Sequence, residues 1–301
     1  MGNVIGLLGV CMVLGVLARH SGKFSAGAAG AFNTFVLYVA LPALVLRAMH
    51  RLEFVPELLV AAAVPWLYYL GAGPFFRLLG PRLGLSRPSV MALVLTAGLG
   101  NTAFVGLPMA EALLGPTGLP VAVVVDQLGS FLVLSSLATL AAARAGAETP
   151  LSARQLARKV ATFPPFLALV VALATRPLAY PLWLDGVLER LGSLLTPLAL
   201  FSIGLQLRLS GVRHRLPALA LGLSYKLLLV PALTALGLLA LPDLSPVVVQ
   251  AALLQAAMGP MVSAAILAAE HDLDPDLAVL MVGVGVPLSF ATAPLMLLLA
   301  R

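Results

Sequence analysis

The sequence predicts an all-α membrane protein of ten transmembrane helices, arranged as two inverted five-helix repeats. Three observations lead there. First, the 301 residues are 61% hydrophobic and only 10% charged, with a mean hydropathy of +1.06. A soluble domain carries about 25% charge. Too little polar surface remains to cover a water-facing globule, which excludes a cytosolic enzyme, a nucleic-acid-binding module and a disordered chain. Second, ten apolar stretches follow one another, and a spanning helix needs roughly 20 such residues. Third, the basic residues gather in alternate loops.

The stretches cover 3–18, 27–48, 56–79, 89–113, 118–142, 160–177, 184–207, 216–240, 246–269 and 277–300. The first is a retained span rather than a cleavable signal, because Arg19 and Lys23 follow its apolar run instead of preceding it. Cys11, within it, is the single cysteine, so no intramolecular disulfide can form. The longest gap holds Arg144, Glu148, Arg154, Arg158 and Lys159 and falls at the midpoint. It divides the chain into an N-terminal five-helix repeat (1–142), a cytoplasmic linker (143–159) and a C-terminal repeat (160–301).

Orientation follows from the basic residues, which favour cytoplasmic loops. Odd-numbered loops hold Arg19 and Lys23; Arg77, Arg82 and Arg87; Arg144, Arg154, Arg158 and Lys159; and Arg208, Arg213 and Arg215. Even loops and termini hold only Arg47, Arg51, Arg176, Arg190 and Arg301. Both termini are therefore predicted outside. The net charge of +6 is a topology signal and not a nucleic-acid patch. The ninth loop stands apart, being acidic through Glu270, Asp272, Asp274 and Asp276.

An odd number of spans per half inserts the second half upside down. That is a recurring transporter plan, with the substrate site at the midplane between the repeats. Internal likeness agrees: Leu41-Pro42-Ala43-Leu44 in the second stretch and Thr196-Pro197-Leu198-Ala199-Leu200 in the seventh both set a proline amid Leu and Ala.

The fourth and ninth stretches correspond in position, and each is interrupted. The fourth carries Gly98, Gly100, Gly106, Pro108 and the Asn101-Thr102 pair; the ninth carries Gly259-Pro260. Glycine and proline weaken helices, and proline also removes a backbone donor. Freed backbone groups at membrane depth must be buried or line a cavity. Two broken helices running antiparallel would present two positive N-terminal ends to one site, which favours an anionic ligand group.

Ionisable residues inside spans are functional candidates by default. Asp126 in the fifth stretch and Lys226 in the eighth are the deepest; Glu111 sits near an end. The first two could pair as ions. Alternatively, Asp126 is a proton or cation site and Lys226 attracts the anion. Neutral candidates are Asn33, Tyr38, Asn101, Thr102, Gln127, Gln206, Tyr225, Gln250, Gln255 and Ser263. Gln255, one turn before the second break, is the natural partner of Asn101. No Cys/His cluster has metal-ligand spacing, and no Gly-rich motif ends in Lys-Ser or Lys-Thr, so neither a metal site nor ATP-driven transport is expected.

The run Gly100-Asn101-Thr102-Ala103-Phe104-Val105-Gly106-Leu107-Pro108 resembles the fourth-span motif of the auxin efflux carrier family. Pro197-Leu198-Ala199-Leu200-Phe201-Ser202-Ile203-Gly204-Leu205 resembles its seventh span, and Lys226…Pro231 its eighth. Gln255-Ala256-Ala257-Met258 and Glu270…Asp274-Pro275 resemble its ninth and tenth. The chain is similar to a compact prokaryotic-type member of the bile/arsenite/riboflavin/auxin transporter superfamily, without the long cytoplasmic insertion of plant members.

The resemblance implies crossing broken helices four and nine, a scaffold subset and a transport subset of helices, and a homodimer. It implies a secondary carrier in the cytoplasmic membrane, working by elevator-like alternating access on small organic anions such as indole acids or carboxylates. Asn101 matches the family's substrate-site asparagine. Where members commonly place proline at both crossover points, this chain has Gly100 and Gly259, with Pro260 one residue later.

The site expected is thus Asn101, Thr102, Gln255, Lys226, Asp126 and Asn33, with Gly100, Pro108, Gly259 and Pro260 at the crossover. No cofactor is expected beyond a proton or sodium ion as coupling partner. The alternatives are a sodium-coupled symporter of the bile-acid type, a cation/proton antiporter, and an anion-binding membrane receptor. No enzymatic role is expected.

Overall fold

A computed structural model describes residues 2–25, 27–50, 52–53, 55–146, 152–207, 211–241 and 243–299. Arg51, Glu148, Arg208 and Arg301, which entered the loop-charge reading, lie outside the described residues, as does part of the linker, 147–151. Among the described residues the fold is entirely helical, apart from one isolated antiparallel bridge between Gly100 and Pro260.

In chain order the helices are α1 (Gly2–His20), α2 (Ala28–His50), α3 (Glu57–Leu79), α4 (Arg87–Ala97), α5 (Thr102–Ala145) and α6 (Ala153–Ala161). There follow α7 (Pro164–Ala174), α8 (Leu182–Gln206), α9 (Val212–Leu239), α10 (Pro246–Ala256), α11 (Val262–Glu270) and α12 (Pro275–Leu299). Among the described residues six are long and apolar enough to cross a membrane: α2, α3, α5, α8, α9 and α12. The pair α6–α7, bent by 65°, is a seventh when its two helices are counted as one span.

The ten apolar stretches therefore do not give ten long helices. The fourth and ninth are cut at 98–101 and 257–261, leaving α4 and α10 short. The second half of the fourth runs on into the fifth as α5, with a kink in place of the expected loop. Gly115 makes that kink at φ 66° and ψ −158°, a conformation open to glycine.

Local chemistry sets the helix ends. Ser86 caps α4, its Oγ accepting from the Ser89 N–H at 3.2 Å, and Pro88 sits in the first turn where its missing N–H costs nothing. Ser152 and Gln155 cap α6 reciprocally. Asp274 stands before α12 in the left-handed region, at φ 47°. Its carboxylate accepts from the Ser89 hydroxyl at 2.5 Å and pairs with Arg215 at 2.7 Å. One acidic side chain thus ties the starts of α4, α9 and α12 together.

Helices pack in two groups, each drawn from both halves of the chain. One holds α1, α2, α7 and α8. Its tightest crossing is α1 on α8, where a Cβ on Gly15 would lie 2.9 Å from the Gly204 Cα, and one on Gly204 would lie 2.8 Å from the Gly15 Cα. Small residues allow such close approach between membrane helices. The other group holds α3, α4, α5 and α9–α12, with α5 also touching α2 and α8. The buried core runs through both groups; in the second it is built around the fully buried Leu93, Leu95, Leu99, Leu254 and Met258. Large apolar side chains such as Leu67, Leu233 and Leu236 are exposed on its outer face, as befits a surface covered by lipid.

Candidate functional site

Both interruptions sit in that core and meet there. The Asn101 N–H donates to the Gly259 carbonyl at 2.8 Å, and the Met261 N–H donates to the Leu99 carbonyl at 3.0 Å. Gly100 and Pro260 face one another between these bonds. Each break therefore satisfies backbone groups that the other has freed, which the dry interior demands. Glycine is needed at 259 because α12 presses close: a Cβ there would lie 2.7 Å from the Gly285 oxygen and 2.8 Å from the Val286 Cα.

Two helices end at this crossing and two begin. On the side where α5 and α11 begin lies a cavity of about 280 Å³. Asn101, Ala103 and Phe104 line it from the start of α5, and Met261, Val262 and Ser263 from the start of α11. Both positive helix ends thus border one space, an arrangement suited to an anionic group. The lining extends past Asp126, Ser135 and Thr139 to Lys159 and Glu270, with Leu37 and Leu41 of α2 forming an opposite wall.

Asn101 is 3% exposed, and its side-chain amide nitrogen has no hydrogen-bond partner among the described residues. A buried donor left unmade costs about 1–3 kcal/mol. The Ser135 hydroxyl, also on the cavity and buried, lacks a partner as well. Ser135 escaped the sequence reading; its only signal is the Ser135-Ser136 pair within an apolar run. Asp126 borders the cavity but is held: the Thr102 hydroxyl donates to its Oδ1 at 2.5 Å and the Gln127 amide to its Oδ2 at 2.7 Å. It lies in a π-helical turn, Val125–Ser130, a local widening frequent at functional sites.

The remaining expected residues stand elsewhere. Thr102 turns its hydroxyl to Asp126, beside the cavity wall. Gln255 lies behind the crossing, its amide donating to the Ala122 carbonyl at 3.2 Å and the Thr102 carbonyl at 3.4 Å. Gly106 makes room for it, since a Cβ there would collide with the Gln255 Oε1.

Lys226 is fully buried and does not line the cavity. Its ammonium donates to the Ala256 carbonyl at 2.7 Å and lies 4.5 Å from the centre of the Tyr68 ring. It forms no ion pair with Asp126 among the described residues. Asn33 belongs to the other helix group, accepting from the Ser202 hydroxyl at 2.6 Å. Pro108 lies in the continuing helix α5, past the crossing. Tyr38 is exposed on the outer face. Glu111 lines a separate cavity of about 410 Å³ with Arg47 and Glu189.

The sequence pattern of the family described as membrane transport protein matches residues 3–297. A protein of Methanothermobacter thermautotrophicus named "Uncharacterized transporter" is 27% identical over 97% of this chain and 94% of its own length. A protein of Rhizobium meliloti named "Putative malonate transporter" is 29% identical over 84% of this chain and 80% of its own.

Proposed function

Since the chain belongs to the membrane transport protein family, that of the auxin efflux carriers, we propose that it is a secondary carrier of small organic anions. Carboxylates are the substrate class, bound in the cavity beside Asn101. The observation that carries this reading is the unpartnered Asn101 amide, buried on a cavity that two helix N-termini also border. A carboxylate oxygen would accept from that amide, and its charge would be stabilised by the helix ends. The name of the Rhizobium meliloti relative agrees with a short dicarboxylate.

In this reading the ten apolar stretches act as ten spans in two inverted repeats, with α4/α5 and α10/α11 as the crossing broken helices. The group of α1, α2, α7 and α8 serves as scaffold. The other group carries the site, and its displacement exposes the cavity alternately to each side. The protein resides in the cytoplasmic membrane, and its basic loops orient it with both termini outside. Family likeness further suggests a homodimer.

The test is a thermal-shift and calorimetric screen of the purified protein against malonate, succinate, acetate and indole acetate. At least one carboxylate should raise Tm and bind saturably, and Asn101→Ala should abolish both effects. Binding that survives Asn101→Ala unchanged would move the site elsewhere; indifference to every anion would overturn the reading.

A further inference from the structure

Lys226 is the one fully buried cation in the described residues, and no carboxylate faces it. What it faces is backbone. Ala256 is the last residue of α10, so its carbonyl is one of the acceptors that a helix end leaves without an internal partner. The other carbonyls of that final turn are served locally: Ala257 N–H donates to Leu253 and Leu254, and Met258 N–H to Gln255. The Ala256 oxygen is served by Lys226, at 2.7 Å.

The same ammonium lies beside the first break, three residues past the end of α4, since a Cβ on Gly100 would come within 3.1 Å of the Lys226 Nζ. One positive charge thus stands at the end of α10 and against the unwound backbone of the other broken helix. The α10 end carries roughly half a negative charge, which a cation beside it stabilises. Tyr68 turns its ring face to the same atom, at 4.5 Å, and a ring face also attracts cations. Tyr225, next to Lys226 in the chain, anchors that ring's backbone by donating from its hydroxyl to the Tyr68 carbonyl at 2.5 Å.

We propose that the crossing contains a monovalent-cation site permanently filled by the Lys226 ammonium, and that substrate binding by this protein therefore needs no inorganic cation. Lys226 is a positioning residue: it neutralises the end of α10 beside the break that follows α4, behind the substrate cavity, and holds α10 in register with α9. The substrate half of this statement rests on the carrier reading above; the cation half does not. Removing the side chain leaves a space lined by the Ala256 carbonyl and the Tyr68 face, which a small cation from solution fills.

The experiment compares wild type, Lys226→Ala and Lys226→Met in sodium chloride, methylammonium chloride and choline chloride at equal ionic strength. Wild-type Tm should be the same in all three. Lys226→Ala should melt several degrees lower in choline and recover saturably in sodium or methylammonium, as a ligand bound only by the folded state requires. Lys226→Met fills most of the space and should recover less. A folded Lys226→Ala protein indifferent to both small cations overturns the proposal, as does a saturable sodium-dependent rise in wild-type Tm.

Should neither variant fold, wild-type Tm in sodium against choline decides alone: no difference upholds the proposal, and a saturable rise rejects it. None of these melts uses a carboxylate, so they stand even if the chain binds none. If malonate binds, its wild-type affinity should be equal in sodium and in choline.

Discussion

Asn101 and Gly259, from opposite halves of the chain, are joined backbone to backbone by a 2.8 Å hydrogen bond. The residue whose side chain is free to meet a ligand is thus the residue whose main chain locks the crossing. The proposed ligand contact and the joint share one position without sharing atoms.

Gly259→Ala should loosen that joint. The added methyl meets the Gly285 carbonyl and the Val286 Cα, both backbone, so relief requires α12 to shift. Overpacking of this kind costs about 1–3 kcal/mol. Denaturant or thermal melts in detergent check it, and unaltered stability would mean that α12 yields freely.

Gly106→Ala should also destabilise, by a different route. Its methyl displaces the Gln255 Oε1, the far end of a flexible side chain, and with it the amide that braces Thr102 and Ala122. Losses from the two positions should therefore not add: in a Gln255→Ala background the cost of Gly106→Ala should shrink by about 0.5–3 kcal/mol. Strict additivity in the double-mutant cycle would contradict the contact.

Asp126→Asn should lower stability by about 1–3 kcal/mol, because an amide presents one acceptor where the carboxylate serves both Thr102 and Gln127. If Asp126 also exchanges a proton during transport, the variant will flatten the pH profile of uptake into proteoliposomes. A profile identical to wild type would confine Asp126 to holding the cavity wall.

Asp274→Ala should cost more than Asp272→Ala or Asp276→Ala. Only Asp274 links Ser89, Arg215 and the start of α12. Charge-assisted bonds of this type are worth about 1.5–3 kcal/mol. Equal melting temperatures for all three variants would refute the anchor.

Composition and spacing made the helical membrane class and the two interruptions readable in the sequence. Gly and Pro mark weak points in a helix because their effect is local. What those weak points touch is not local: correspondence between the halves points to the partner stretch, but the residue-level pairing of Gly100 with Pro260 is encoded in neither stretch alone. A lone Lys226 in an apolar run reveals a cost without revealing its compensation, which here is a carbonyl and a ring rather than Asp126. Gln255 looked like a ligand contact because it neighbours the break, yet helix phase turns it to the rear, into the room Gly106 leaves. Asn33 is absorbed by a hydrogen bond to Ser202, a common fate of single polar residues between membrane helices. The change of direction between the fourth and fifth stretches is legible in the sequence, but hydropathy does not distinguish the expected loop from the single-residue kink at Gly115 that replaces it.

The bridge between the two broken helices uses main-chain atoms alone. Every residue type except proline supplies those atoms at 101 and 261, so a side chain can be exchanged there without removing the bond. On the proposed carrier reading, cargo preference and mechanical integrity at this crossing are therefore separable: the side chain at 101 can be altered for a new ligand while the framework keeps its joint.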